Sequence, residues 1–360
     1  MALYSAKFAP TRLHSHNSDS LGLRASPTTR KAFTKRNAVE RPVVLQKSAD
    51  ELTFREVIVP LDGSPYAEHA LPWAIQIATL AGARVRLVHV HEKMQPAFHA
   101  RRLELYGEFD RLLREPMEEY IVDVVRRLAR ASAVTVTPTV VDGRHVTDEL
   151  PDLVASTSDI VVMATRSRNF VSRTVFGSAL DAVVQRREAP ILHVRGYSSP
   201  VDLTARPSLR HALVPLDGSP DSADVLRPVV ALSRLTDGRQ TLFRAVQSDG
   251  LFSCGSARED ACELTNSPVA VLGEIAKAWR HELPHVRTSV AWSGASPARA
   301  ILTEAEEQNV DFIAMATRPR SRLSRLFRPG VFDRLIRRAR TPILVVKQHD
   351  EGARSQSLSA

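Results

Sequence analysis

The residues of this chain best suited to chemistry fall in a few short runs. Asp62-Gly-Ser64-Pro65 and Asp217-Gly-Ser219-Pro220 each set a carboxylate beside a glycine and a hydroxyl. Such a carboxylate either accepts hydrogen bonds from a ligand or turns inward and accepts them from its own turn. Arg166 and Arg168 precede Gly177-Ser178, while Arg318, Arg320, Arg322, Arg325 and Arg328 crowd a later stretch. Guanidinium groups suit phosphate oxygens, although arginines on a solvated face read the same way in a sequence. His89 and His91 are two apart, with His99 beyond. On a strand the first two share a face, but without a third ligand the pair reads as structural rather than metal-binding. Cys254 and Cys262 lie eight apart, a spacing that fits no zinc motif, so reduced thiols are expected.

Several chemistries are absent. There is no Gly-x4-Gly-Lys-Ser/Thr phosphate loop, no Gly-x-Ser-x-Gly elbow and no His-Glu-x-x-His pair. No nucleophile stands beside an evident base, so the chain is not expected to be an enzyme.

The elements that must position these runs come from an internal repeat. Val57-Ile-Val-Pro-Leu-Asp62-Gly-Ser64-Pro65 recurs as Ala212-Leu-Val-Pro-Leu-Asp217-Gly-Ser219-Pro220, an offset of 155. Asp159-Ile-Val-Val-Met163-Ala-Thr-Arg166 recurs as Asp311-Phe-Ile-Ala-Met315-Ala-Thr-Arg318, and Ala189-Pro-Ile-Leu-His-Val194 as Thr341-Pro-Ile-Leu-Val-Val346, both offset by 152. Three blocks in one order and nearly one register mean two copies of one domain. The expected division is a basic arm over 1–51, a first domain over 52–196, a linker over 197–207, a second domain over 208–348 and a tail over 349–360.

Within the first copy, strands are expected at Val57–Leu61, Val85–Val90, Val134–Val141, Ile160–Ala164 and Ile191–Val194. Helices follow Ser64, which suits an N-cap with Pro65 in the first turn, and occupy Ala97–Ser132, Thr147–Thr157 and Ser178–Arg187. Leu105, Phe109, Leu112, Leu113, Tyr120, Val124 and Leu128 would give the long helix its apolar faces. Pro116 is expected to kink or divide it. Apolar strands alternating with helices imply an α/β fold, a parallel five-stranded sheet with helices on both faces, in each copy. Such sheets hold ligands beyond the carboxyl ends of their strands, where the strand order reverses.

Composition sets the outer limits. Of the 360 residues, 43% are hydrophobic and 25% charged, enough for a sizeable core. No run approaches the roughly 20 apolar residues that span a bilayer, so no membrane partner is expected and a cytoplasmic location is. The net charge is +9. Residues 1–50 hold nine Lys/Arg against three acids, or +6, leaving +3 for the other 310. That segment lacks the apolar stretch of a secretory signal. It reads as a disordered arm, with an organelle-targeting segment and a contact arm as the alternatives. Aromatic content is only 6% and is not interleaved with the charge, so nucleic acid is not an expected partner.

Val-Pro-Leu-Asp-Gly-Ser closing the first strand, Asp-Ile-Val-Val-Met before a basic turn, Gly177-Ser178 and then Ala-Pro-Ile-Leu resemble the universal stress protein (UspA-like) family, in a tandem form. The resemblance covers both copies. It implies a Rossmann-like sandwich of the adenine nucleotide alpha-hydrolase-like group, and pairing of domains through their last strands, with a further homodimer conceivable. It also implies a stress-response role, with ATP or another adenine nucleotide bound by some members, Mg2+ accompanying it, and none bound by others. Nucleotide-binding members carry Gly-x2-Gly-x9-Gly-Ser/Thr after the fourth strand. Here that stretch is Ala164-Thr-Arg-Ser167, nine residues, then Gly177-Ser178, so spacing is kept and two glycines are replaced. By the resemblance, Pro60, Asp62 and Val90 would meet the nucleoside. Met163, Ala164, Ser167, Arg168, Gly177 and Ser178 would form or flank the phosphate loop, where glycine lets backbone N–H groups approach oxygens and a helix N-terminus adds donors. In the second copy Pro319 and Pro329 each remove a donor, so that site is expected to be poor. Two readings remain open: an adenine-nucleotide-binding module, and a nucleotide-free interaction protein of the same fold.

Overall fold

The computed structural model describes residues 53–93, 103–154, 159–166, 178–247, 267–294, 296–317 and 330–348. The expected basic arm and C-terminal tail lie outside them, as do His99, Cys254, Cys262 and the arginine-rich stretch with Pro319 and Pro329.

In the first repeat β1 (Glu56–Pro60), β2 (Arg84–Glu92), β3 (Val136–Gly143), β4 (Asp159–Arg166) and β5 (Ile191–Gly196) are all parallel neighbours in the order β3-β2-β1-β4-β5. The second repeat has β6 (His211–Pro215), β7 (Arg239–Gln247), β8 (Val286–Ser293), β9 (Phe312–Thr317) and β10 (Ile343–Lys347) in the matching order. Between them β5 and β10 run antiparallel, with His193 opposite Ile343, Leu192 opposite Leu344 and Ile191 opposite Val345. The result is one ten-stranded sheet.

Alternation of side chains makes that sheet two-faced. Val57 and Val59 belong to one buried core, with Ala74, Val214, Phe312 and Leu344. Ile58 belongs to the other, with Val161, Leu213, Phe243 and Ile343. Each core therefore crosses the β5–β10 seam. The helices that cover these faces begin and end where the sequence permits. The helix α1 (Pro65–Glu68) opens with Ser64 Oγ accepting from the Ala67 N–H at 3.4 Å, and α2 (Leu71–Ala81) stops at Gly82, whose φ of 64° is left-handed.

Of the two effects expected of Pro116 in the long helix α3 (Leu103–Ala131), a kink or a division, the division does not occur. Pro116 removes one bond to the Leu112 carbonyl, but Leu112 is 56% exposed, where water can satisfy that oxygen. The apolar face is also shorter than the sequence suggests. Ile121, Val124 and Leu128 are buried, while Phe109, Leu112 and Leu113 are exposed. The remaining helices of the first repeat are α4 (Val146–Leu153) and α5 (Ser178–Arg186).

Candidate ligand cavity at the strand-order switch

In the first repeat the strand order reverses between β1 and β4, both of which leave the sheet at their carboxyl ends on the same side. The two following connections must diverge, one toward β2 and one toward β5, so a crevice opens between them. A cavity of ≈ 480 Å³ lies there. Pro60, Leu61 and Asp62 enter it from the end of β1, Val88 and Val90 from β2, and Met163, Ala164 and Thr165 from β4. Five of the residues singled out in the sequence, Pro60, Asp62, Val90, Met163 and Ala164, are therefore brought together from three strands. Ser178 opens α5, whose second residue, Ala179, lines the cavity. Ser167, Arg168 and Gly177 lie outside the described residues.

The local chemistry of Asp62 is set by its turn. Its Oδ1 accepts from the Ser64 N–H at 3.0 Å and from the Ser64 hydroxyl at 2.6 Å. Gly63 between them has φ of +80°, which a side chain strains. The carboxylate thus uses one oxygen to hold the turn. Oδ2 makes no hydrogen bond among the described residues and remains an acceptor at the cavity wall. Turn residue and ligand acceptor, alternatives in the sequence, are compatible in the structure.

Other lining residues were not singled out as ligands from the sequence. Ser64, Tyr66, His89, Glu92 and Thr165 all lie in the wall. Each sits within a few residues of a strand's carboxyl end, and that position is the signal that points to them. His89 is buried, and its Nδ1 meets the Leu61 carbonyl at 2.9 Å. A carbonyl only accepts, so Nδ1 carries a proton and donates it to Leu61. His91 binds Asp110 instead, at 3.0 Å, so the two histidines serve different partners. Among the described residues no group of three His, Cys, Asp or Glu is placed to hold a metal ion. Glu92 accepts from the Val146 N–H at 2.9 Å and so caps α4. Thr165 meets Nε2 of His193 at 2.7 Å. Burial pushes the His193 imidazole down to about 4.

The second repeat has a counterpart cavity of ≈ 390 Å³. Asp217 repeats the Asp62 turn, with Oδ1 accepting from the Ser219 N–H at 2.9 Å and the Ser219 hydroxyl at 2.6 Å. Arg244 replaces His89 at the wall, and its guanidinium rests against Gly218, where a Cβ would collide with it.

The model of the universal stress protein family matches residues 53–195 and again 208–347. The chain belongs to the universal stress protein family. A universal stress protein of Mycolicibacterium smegmatis is 24% identical over 303 residues, covering 81% of this chain and 96% of that protein. A universal stress protein of Thermus aquaticus is 29% identical over 148 residues, covering 39% of this chain and 99% of its own length. Among solved structures, a universal stress protein from Archaeoglobus fulgidus superposes with a TM-score of 0.58 at 18% identity, covering 83% of this chain and 99% of that one. At that identity the likeness speaks for the fold. The family assignment rests on the two matches of the family model, which span most of the chain. Among the described residues no helix is long and apolar enough to cross a membrane.

Proposed function

We propose that this universal stress protein binds one adenine nucleotide in its first domain, over 52–196, and acts as a non-catalytic regulatory or protective module in the cytoplasm. One observation carries the reading: Pro60, Asp62, Val90, Met163 and Ala164, far apart in sequence, converge on one cavity where the strand order reverses. Its volume of ≈ 480 Å³ falls in the roughly 300–1,000 Å³ range of small-molecule sites. Pro60, Val88, Val90 and Leu150 offer apolar walls for a base. Asp62 Oδ2 is the acceptor for ribose hydroxyls. The N-terminus of α5, with Ser178 and with Gly177 before it, supplies donors for phosphate, and Ser167 and Arg168 would flank it. Mg2+ would accompany a triphosphate. The two domains would act as a pair joined by β5 and β10, with a dimer of chains as a further level of assembly.

The test is calorimetry and mass spectrometry on the purified full chain with ATP, ADP and AMP, with and without magnesium. Binding that Gly177→Asp abolishes and a bulky change at Gly330 leaves intact is the expected result. Equal loss from both variants refutes the assignment to the first domain. The nucleotide-free reading is favoured by one feature: Ala164 and Ser167 replace two glycines that would let backbone approach phosphate. Absence of nucleotide after purification and of heat at millimolar ATP and magnesium selects it.

A further inference from the structure

At the end of the sheet opposite the two cavities, each repeat serves as a control for the other. In the first repeat Glu56 is buried at the start of β1. Its carboxylate takes Nε of Arg84 at 2.7 Å and Nη2 of Arg86 at 2.8 Å. Two cations and one buried anion therefore close that corner.

The second repeat keeps the cations and loses the anion. The offset of 155 places His211 at Glu56, Arg239 at Arg84 and Thr241 at Arg86. The missing guanidinium returns from the next strand, because β8 aligns Arg287 with Thr241. His211 is aligned with Arg239. Paired residues on parallel neighbours, and alternate residues along one strand, share a face, so His211, Arg239, Thr241 and Arg287 do too. No carboxylate has taken the place of Glu56. Among the described residues Arg210, Arg239 and Arg287 make no ion pair and no side-chain hydrogen bond. They line, with His211, a concavity of ≈ 600 Å³.

Two acids, Asp237 and Asp311, also line the concavity, and Glu304 lies beyond it. Asp311 Oδ2 accepts from the N–H groups of Arg210 and His211, each at 2.8 Å, and from the Ser208 hydroxyl at 2.7 Å. Asp237 is 91% exposed and stands 3.6 Å from His285. Glu304 accepts from Ser289 at 2.7 Å and from Gln308.

The imidazole in the corner is 5% exposed. Thr241 donates its hydroxyl to Gln308 Oε1 at 2.9 Å and so accepts from His211 Nε2 at 3.1 Å. That fixes the proton on Nε2. Nδ1 is buried with no well-formed hydrogen bond, although the Gln308 backbone lies close enough to favour its protonated form. Burial, then Arg239, pushes the imidazole below its ordinary range, with Asp311 opposing the shift and Arg287 adding a smaller push.

We propose that this corner of the second domain is an oxyanion site, in which a phosphate group, free or terminal on a small molecule, stands between Arg239 and Arg287 as Glu56 stands between the arginines of the first. Paired guanidinium groups suit a tetrahedral oxyanion, and Arg210 adds a third cation at the rim. The site lies at the amino ends of the strands and is independent of nucleotide binding at their carboxyl ends.

The experiment titrates the full chain with inorganic phosphate against chloride at equal ionic strength, by calorimetry and by thermal unfolding. Ribose 5-phosphate, a phosphomonoester, forms a second arm. Saturable binding is expected, with tighter binding of the phosphomonoester if a small molecule is the natural source and equal binding if free phosphate is. Arg239→Ala with Arg287→Ala, both exposed in the wild type, weakens it by about tenfold or more. His211→Glu restores the internal carboxylate, abolishes binding and leaves the melting temperature unresponsive to phosphate. Gly177→Asp, which closes the phosphate end of the first domain's cavity, leaves this binding intact and so separates the two sites. Phosphate acting no differently from chloride overturns the proposal. So does undiminished binding in the double arginine variant, which decides the matter even if His211→Glu fails to fold.

Discussion

Replacing His193 with valine should make the protein more acid-resistant by a calculable amount. His193 sits on β5 at the seam with β10, opposite Ile343, and is 5% exposed. Burial lowers its pKa from 6.5 to about 4. The unfolded chain therefore takes up a proton on this ring as pH falls through about 6.5, while the folded chain resists until about 4. A group that binds its proton more readily when unfolded gives stability that is whole above its unfolded pKa and is lost as pH falls toward the folded one. At about 1.4 kcal/mol per pKa unit, the loss amounts to about 1.4 kcal/mol by pH 5.5 and about 2.5 kcal/mol by pH 4.5. Valine is the residue at the matching position of the second repeat, Val345. His193→Val leaves the Thr165 hydroxyl without its 2.7 Å partner, a cost that does not vary over this pH range. Urea unfolding of wild type and variant at pH 7.5, 6.5, 5.5 and 4.5 reads the difference directly, because every other titrating group cancels. The variant should gain on the wild type by about 2.5 kcal/mol between the ends of the series. A difference that stays constant with pH refutes the reasoning, since it would mean the ring is protonated as easily inside as outside.

Two further outcomes follow from the packing. Leu344 is fully buried on β10 opposite Leu192, so Leu344→Ala should cost about 2–5 kcal/mol in chemical denaturation, with both repeats losing cooperativity at once because each core crosses the seam. Gly63→Ala should cost about 1–3 kcal/mol, from φ of +80° and from Met117 Sδ at 3.0 Å from the new methyl. It should also weaken nucleotide binding through the displaced Asp62 turn, readable by calorimetry.

Much of the fold is legible because the sequence states it twice. The matched blocks fix the strands that carry them, and apolar runs such as Ile160–Met163 mark strands buried on both faces. The cavity's β1 and β4 residues are legible for the same reason, since Asp62 follows β1 and Met163 lies in β4, the strands on either side of the order switch. What the sequence leaves unread depends on contacts between distant residues. That His89 bonds Leu61, or that Thr165 bonds His193, depends on which strands are neighbours. The exposed start of α3 looks apolar in sequence, since Phe109, Leu112 and Leu113 follow helical spacing, yet helical spacing cannot say whether a partner face exists. The unbalanced arginines of β7 and β8 are invisible until strand register sets Arg287 beside Thr241.

The same divergence between repeats bears on how many nucleotides a chain holds. Both repeats keep the aspartate turn, with Oδ1 of Asp62 and Asp217 held alike by Ser64 and Ser219. Judged by the aspartate turns alone, the chain would have two sites. The walls beside them differ. In the first cavity His89 is drawn away to the Leu61 carbonyl, leaving the space beside the turn open. In the second, the Arg244 guanidinium lies against Gly218 in that space. Pro319 and Pro329 further remove two backbone donors from the stretch where phosphate would be cradled. Neither change is a loss of fold, so the second domain should remain folded and silent. Calorimetry with ATP should give one nucleotide per chain. Asp62→Ala should abolish the heat, and Asp217→Ala should leave it unchanged. Two equivalents per wild-type chain, or an equal effect of the two substitutions, would show that Arg244 yields its place to the ligand and that the repeats differ in sequence without differing in use.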